Sequence, residues 1–119
     1  MWLLLSMSGN SILAESKSMP KIFEYLGIII FFYSNEHEPI HVHASYGNLE
    51  SKAEFYIING TISEIRIKLV GGKKPLDMGR LKDFEEFLEV YADQIVKKWV
   101  DYFVYHKDVS FEKITKKLK

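Results

Sequence analysis

From Ile22 to Tyr33 the chain is almost continuously apolar, with Ile28, Ile30 and Phe32 on one side of an extended backbone and Ile29, Phe31 and Tyr33 on the other. A run that is apolar on both sides predicts one strand, central in a sheet or covered on its outer side by a helix or a second subunit. Ser34-Asn35-Glu36-His37-Glu38-Pro39 breaks the run, and Pro39 disfavours helix at Glu38. A short second strand is expected over His41 to Tyr46, then a turn at Gly47-Asn48 and a third strand from about Glu50 to Ile58. Asn59-Gly60 predicts a tight hairpin, because a type I′ turn needs positive φ at both central residues. In the fourth strand, Thr61 to Leu69, Ile62 is followed by Ile65, Ile67 and Leu69, and the slip in alternation at Ser63-Glu64 predicts a bulge.

The pattern changes after Gly71-Gly72-Lys73-Lys74-Pro75, which reads as a flexible linker. Leu81, Phe84, Phe87, Leu88, Tyr91, Ile95, Trp99 and Phe103 recur at steps of three and four, predicting a helix with one apolar face, capped by Asp77. Glu85, Glu86, Glu89 and Asp93 precede Lys97 and Lys98, the order a helix dipole favours. His106 falls near the helix end, where a cation helps cap the last carbonyls. Val109, Phe111 and Ile114 suggest a short fifth strand or an extended docking segment. The expected class is α+β: a small curled antiparallel sheet of four to five strands packed on one long C-terminal helix. Residues 1–18 read as a leader, disordered or an upstream-start extension, and 19–119 as one domain.

Composition narrows the classes. The chain has 119 residues, 47% apolar and 14% aromatic, enough to build one core. It has no cysteine, which excludes disulfides, thiolate zinc sites and a cysteine nucleophile, and fits a cytoplasmic protein. Its longest apolar run is far too short to cross a membrane. Sixteen Lys plus Arg balance sixteen Asp plus Glu, which argues against binding nucleic acid by bulk charge. The balance is uneven, however: residues 1–72 sum to −2 and residues 73–119 to +2, with +3 in the last thirteen. The tail reads as a solvated end, with a phosphate-contacting arm as the alternative. Arg66, Lys68, Lys73, Lys74 and Arg80 offer a modest basic patch, and Tyr56 is expected to face outward.

Three of the four histidines lie within seven residues, His37, His41 and His43. Strand alternation puts His41, His43 and Ser45 on one face and Val42, Ala44 and Tyr46 on the other, the natural core face. Side chains at i and i+2 are near enough to converge on one ion, with His37 or Glu38 as a third ligand. Zinc, nickel or iron would accept such a set, although no cofactor is the default expectation. A metal-free alternative uses His41 and His43 as general acid and base, with Tyr46 or Tyr33 nearby, as in a histidine-dependent ribonuclease. The bland alternative is that the imidazoles hold the Glu38-Pro39 turn or line a subunit contact.

Met19-Pro20-Lys21-Ile22, then Gly27-Ile28, then His37-Glu38-Pro39-Ile40-His41-Val42-His43-Ala44 with Tyr46 resemble an uncharacterised prokaryotic family, domain of unknown function 4160. Its members typically carry His-x-Pro-Pro-His-Phe-His-Ala before a Tyr, so this chain departs at Ile40 and Val42. Trp99 and the segment Val109–Ile114 match the family's late helix and terminal strand, and the resemblance covers about residues 19–119. The family has no established activity. Its members are often encoded beside another small domain in pairs that look like toxin–antitoxin modules. The resemblance therefore implies an interaction or regulatory domain with a protein partner encoded nearby, and a role in autoregulation or on nucleic acid. A second copy of the chain is an alternative partner, and a His-ligated metal-dependent hydrolase is the alternative enzyme reading.

Overall fold

The computed structural model describes residues 18–36 and 39–119. The leader expected over residues 1–18 therefore falls, up to residue 17, outside the described residues, as do His37 and Glu38. Six strands and one helix follow in order: β1 (Lys21–Tyr25), β2 (Ile28–Phe31), β3 (His41–Tyr46), β4 (Leu49–Ile58), β5 (Thr61–Leu69), α1 (Met78–Phe103) and β6 (Glu112–Ile114). The sheet runs β5-β4-β3-β2-β1-β6, and α1 packs on one face of it. The architecture is α+β, as expected, but the sheet has six strands and is mixed, because β6 joins β1 in parallel.

The additional strand comes from the long apolar run, which folds back on itself. Leu26 and Gly27 both take positive φ, 51° and 84°, and turn β1 into β2 as a two-residue hairpin. Leucine at such a position is strained, since left-handed backbone costs a non-glycine residue about 1–2 kcal/mol. Gly27 has no such cost, and a Cβ there would meet the Tyr46 ring at 3.1 Å. The expectation that the run lies centrally holds for β2, which sits between β1 and β3.

The other turns follow the sequence reading. Asn59 and Gly60 have φ of 52° and 78°, and Tyr56 pairs with Glu64 while Ile57 pairs with Ile62, so Ser63 is the extra residue of a bulge. The Ser63 hydroxyl donates to the Tyr56 carbonyl at 3.0 Å. Asp77 caps α1, its Oδ1 accepting from the Arg80 amide at 2.9 Å. The helix starts at Met78 and ends at Phe103, so its first turn holds no acid and its last turn no base. The expected match of side-chain charge to the dipole therefore reduces to the cap.

Side chains on the helix-facing side of the sheet form the core. Phe23, Tyr25, Ile28, Ile30, Phe32, Val42, Ala44, Ala53 and Phe55 meet Phe84, Phe87, Leu88, Ile95 and Trp99 of α1. Fully burying each large side chain contributes about 1.5–3 kcal/mol. The opposite face carries His41, His43, Lys52, Glu54, Tyr56, Glu64, Arg66 and Lys68, by the alternation of paired strands. That face is polar along β4 and β5 and exposed on β5, as expected of a half-covered antiparallel sheet. The β2–β3 end is buried, because Phe31, Tyr33 and Glu36 cover the imidazoles there.

The basic tail is drawn back onto the helix. Lys117 pairs with Glu86 and with Asp83 at 3.7 Å, Lys119 pairs with Glu89, and Lys113 with Glu24 at 3.6 Å. The Leu118 amide donates to the Tyr25 hydroxyl at 2.9 Å. These lysines answer the acidic residues of α1 and β1, which gives the uneven charge distribution a structural cause.

Candidate functional site

The histidines are placed by strand alternation. Val42 and Ala44 enter the core, so His41 and His43 project from the other face of β3, as the sequence predicts. Both rings are nevertheless buried, at 6% and 2% exposure. The Phe31 ring stacks on His43 at 5.5 Å, the Tyr33 ring meets it edge-on at 4.5 Å, and Glu36 closes over both imidazoles.

Each ring nitrogen has a defined partner. His41 Nδ1 lies 2.7 Å from the Pro39 carbonyl oxygen, which only accepts, so that nitrogen carries a proton. His43 Nδ1 lies 2.9 Å from Glu50 Oε2. The same carboxylate accepts from the Tyr33 hydroxyl at 3.1 Å and stands 3.9 Å from the Lys73 ammonium, so every neighbour of Glu50 is a donor and His43 Nδ1 donates too. The two Nε2 atoms both lie 3.1 Å from Glu36 Oε1.

Electrostatics separates the three groups. Burial pushes the His43 imidazole below its ordinary 6.5, against the pull of its hydrogen bond to Glu36. Burial would raise the Glu36 carboxyl, but the hydrogen bonds and charges of His41 and His43 outweigh it and hold Glu36 below its ordinary 4.5. Tyr33 is pushed up to about 12, first by burial and then by the Glu50 charge and hydrogen bond, which keeps its hydroxyl a donor.

The loop between β5 and α1 takes part in this arrangement. Expected as a flexible linker, it bridges in parallel to the start of β4, with the Glu50 amide donating to the Lys74 carbonyl at 2.8 Å. That docking brings Lys73 to Glu50. Three further members of the expected basic patch are engaged by acids or rings: Arg66 with Glu64 at 2.7 Å and over the Tyr56 ring, Lys68 with Glu54 at 3.7 Å, and Arg80 over the Tyr46 ring at 4.4 Å. Tyr56 faces outward as expected, its hydroxyl donating to Glu54 at 2.7 Å.

Of the residues singled out from sequence, His41, His43 and Tyr33 come together. Tyr46 does not: it lies on the core side of β3, against Gly27 and beneath Arg80. His37 and Glu38 lie outside the described residues, and the third member of the cluster is Glu36. His106 takes a left-handed backbone, φ 55°, just past the end of α1, and marks the helix exit by conformation. Glu50 was also missed, although a signal existed. A two-residue turn at Gly47-Asn48 pairs Ser45 with Glu50 and His43 with Lys52, which sets Glu50 diagonally beside His43 on one face.

A sequence profile described as Domain of unknown function (DUF4160) matches residues 27–100. The chain belongs to that family. The matched span of the DUF4160 domain contains the whole cluster, from Tyr33 and Glu36 through His41, His43, Glu50 and Lys73, and stops at Val100 near the end of α1. Neither β1 nor β6 falls within it. No curated protein and no solved structure matches the chain. Among the described residues, no helix is long and apolar enough to cross a membrane.

Chemically, the cluster presents two imidazole Nε2 atoms and one carboxylate oxygen, all within 4.8 Å of one another. This is a ligand set suited to a divalent metal ion. Of the tyrosines in the acid–base alternative, Tyr46 is on the far side of the sheet, and Tyr33 stands against His43 with its hydroxyl held by Glu50.

Proposed function

We propose that this DUF4160 domain is a small cytoplasmic interaction domain, one member of a toxin–antitoxin-like pair that acts through a protein partner encoded beside it. The observation that carries this reading is the state of β5. It is nine residues long and, among the described residues, lies at the sheet edge and pairs only with β4. Long edge strands left open are templates for pairing with another chain. On the helix-facing side, Ile65 and Ile67 line a shallow groove with Leu88, Glu85 and Glu89, and Leu69 stands 74% exposed at the strand's end. An added strand would find open backbone groups along β5 and apolar anchors for alternate side chains beside it.

Co-expression with the neighbouring gene product, followed by size-exclusion chromatography, tests this. A stable complex is expected, weakened by Ile67→Lys, with growth arrest by one product alone relieved by the other. A domain that stays monomeric and unpaired at micromolar concentration contradicts it.

A further inference from the structure

We propose that Glu36, His41 and His43 form a binding site for a divalent first-row transition-metal ion of the zinc class. Three observations carry it, independently of β5 and its partner.

The first is geometric. Glu36 Oε1 is 3.1 Å from each Nε2 atom, and the three atoms lie within 4.8 Å of one another. Ligands bonded to one ion at about 2.0–2.2 Å stand about 3.0–3.5 Å apart. Two of the ligands rise from alternate positions of a central strand, so the backbone of β3 fixes their spacing.

The second is the arrangement behind the ligands. The Pro39 carbonyl accepts from His41 Nδ1 and the Glu50 carboxylate from His43 Nδ1. With Nδ1 occupied in each ring, the two Nε2 atoms are turned on one carboxylate oxygen, and a cation bound there would take the place of the protons those contacts otherwise share. A carbonyl or carboxylate holding the far nitrogen is the usual way metal-binding imidazoles are oriented. Here it is buttressed again, because Tyr33 and Lys73 hold Glu50.

The third is access and ligand type. The histidines are buried, but the Glu36 side chain is 47% exposed, so an ion could enter from that side and keep coordination positions open there. Imidazole ligands favour zinc, nickel, cobalt or iron over magnesium and calcium, and the chain offers no thiolate. A bound ion would tie Glu36 to β3, and its open positions could take water or a carboxylate or imidazole of a second molecule.

Calorimetric titration of the untagged, chelator-treated full chain with Zn(II) at neutral pH tests the proposal, with thermal unfolding read in parallel. One Zn(II) per chain is expected, at micromolar affinity or tighter, with a rise in Tm. Glu36→Ala should bind at least about tenfold more weakly, since even orienting partners of ligands contribute 10–100-fold. Glu36 is half exposed, so this variant should fold, as circular dichroism would verify. His106→Ala, remote from the cluster, should bind as the parent does. Absence of stoichiometric binding, equal affinity in Glu36→Ala, or loss of binding in His106→Ala would each overturn it.

Discussion

His43 Nδ1 donates to Glu50 Oε2 at 2.9 Å, and the two side chains are diagonal neighbours on β3 and β4. Both are almost fully buried, on the face of the sheet opposite the helix. A buried acceptor of this kind is retained only where its donors are supplied, and Tyr33 and His43 supply them, with the Lys73 ammonium 3.9 Å away. Glu50→Ala should strand the Tyr33 hydroxyl and the His43 imidazole together. Each buried donor left unsatisfied costs about 1–3 kcal/mol. Urea unfolding of the variant should show a loss of at least about 1 kcal/mol; a loss below about 0.5 kcal/mol, the scatter of ordinary surface changes, contradicts the assignment.

Acidification should weaken the metal-free fold through the same cluster. His43 has a folded-state pKa below its ordinary 6.5, so the unfolded chain binds its proton first as pH falls. Stability from this group is therefore present above about pH 6.5 and declines as pH falls below it. Glu36, also depressed, acts in the same direction at lower pH, its contribution present above its ordinary 4.5 and lost as pH falls through its folded value. Unfolding midpoints in urea should drop between pH 7.5 and pH 5, and His43→Gln should flatten that drop. A midpoint independent of pH over this range is the contrary result.

The β1–β2 hairpin depends on Gly27. Alanine there would meet both a φ of 84° and the Tyr46 ring at 3.1 Å. Gly27→Ala should destabilise by at least about 1 kcal/mol, the minimum for left-handed backbone. A melting temperature equal to that of the parent would refute the reading.

Loss of the α1 cap is a milder change. Asp77→Ala removes the acceptor for the Arg80 amide and should cost about 0.5–2 kcal/mol, while Asp77→Asn or Asp77→Ser should recover most of it. Equal loss in all three would assign Asp77 some role other than capping.

Local signals made much of this legible in sequence, and non-local pairing hid the rest. Alternation over His41–Tyr46 was enough to put both imidazoles on one face, and Asn59-Gly60, Ser63 and Asp77 behave as their chemistry dictates. Glu36 was not legible as a site residue, because an irregular loop has no period from which to read its direction. The turn at Leu26-Gly27 was obscured by an apolar run with leucine where asparagine or glycine is usual. Parallel pairing of β6 with β1 joins segments about ninety residues apart, and no short-range pattern encodes it. Lys73 reaches Glu50 only because its loop docks beside β4, again a tertiary effect.

The central claim is that the two imidazoles are held by Nδ1 so that Nε2 is offered, with Glu36, to one ion. Nitrogen-15 NMR of the histidine side chains, with and without one equivalent of Zn(II), reads this directly. The account predicts that His41 and His43 keep the proton on Nδ1 and that Zn(II) shifts their Nε2 resonances together, at one ion per chain. Zn(II)-induced shifts at Nδ1, a proton on Nε2 in the Zn(II)-loaded protein, or resonances that do not respond would contradict it.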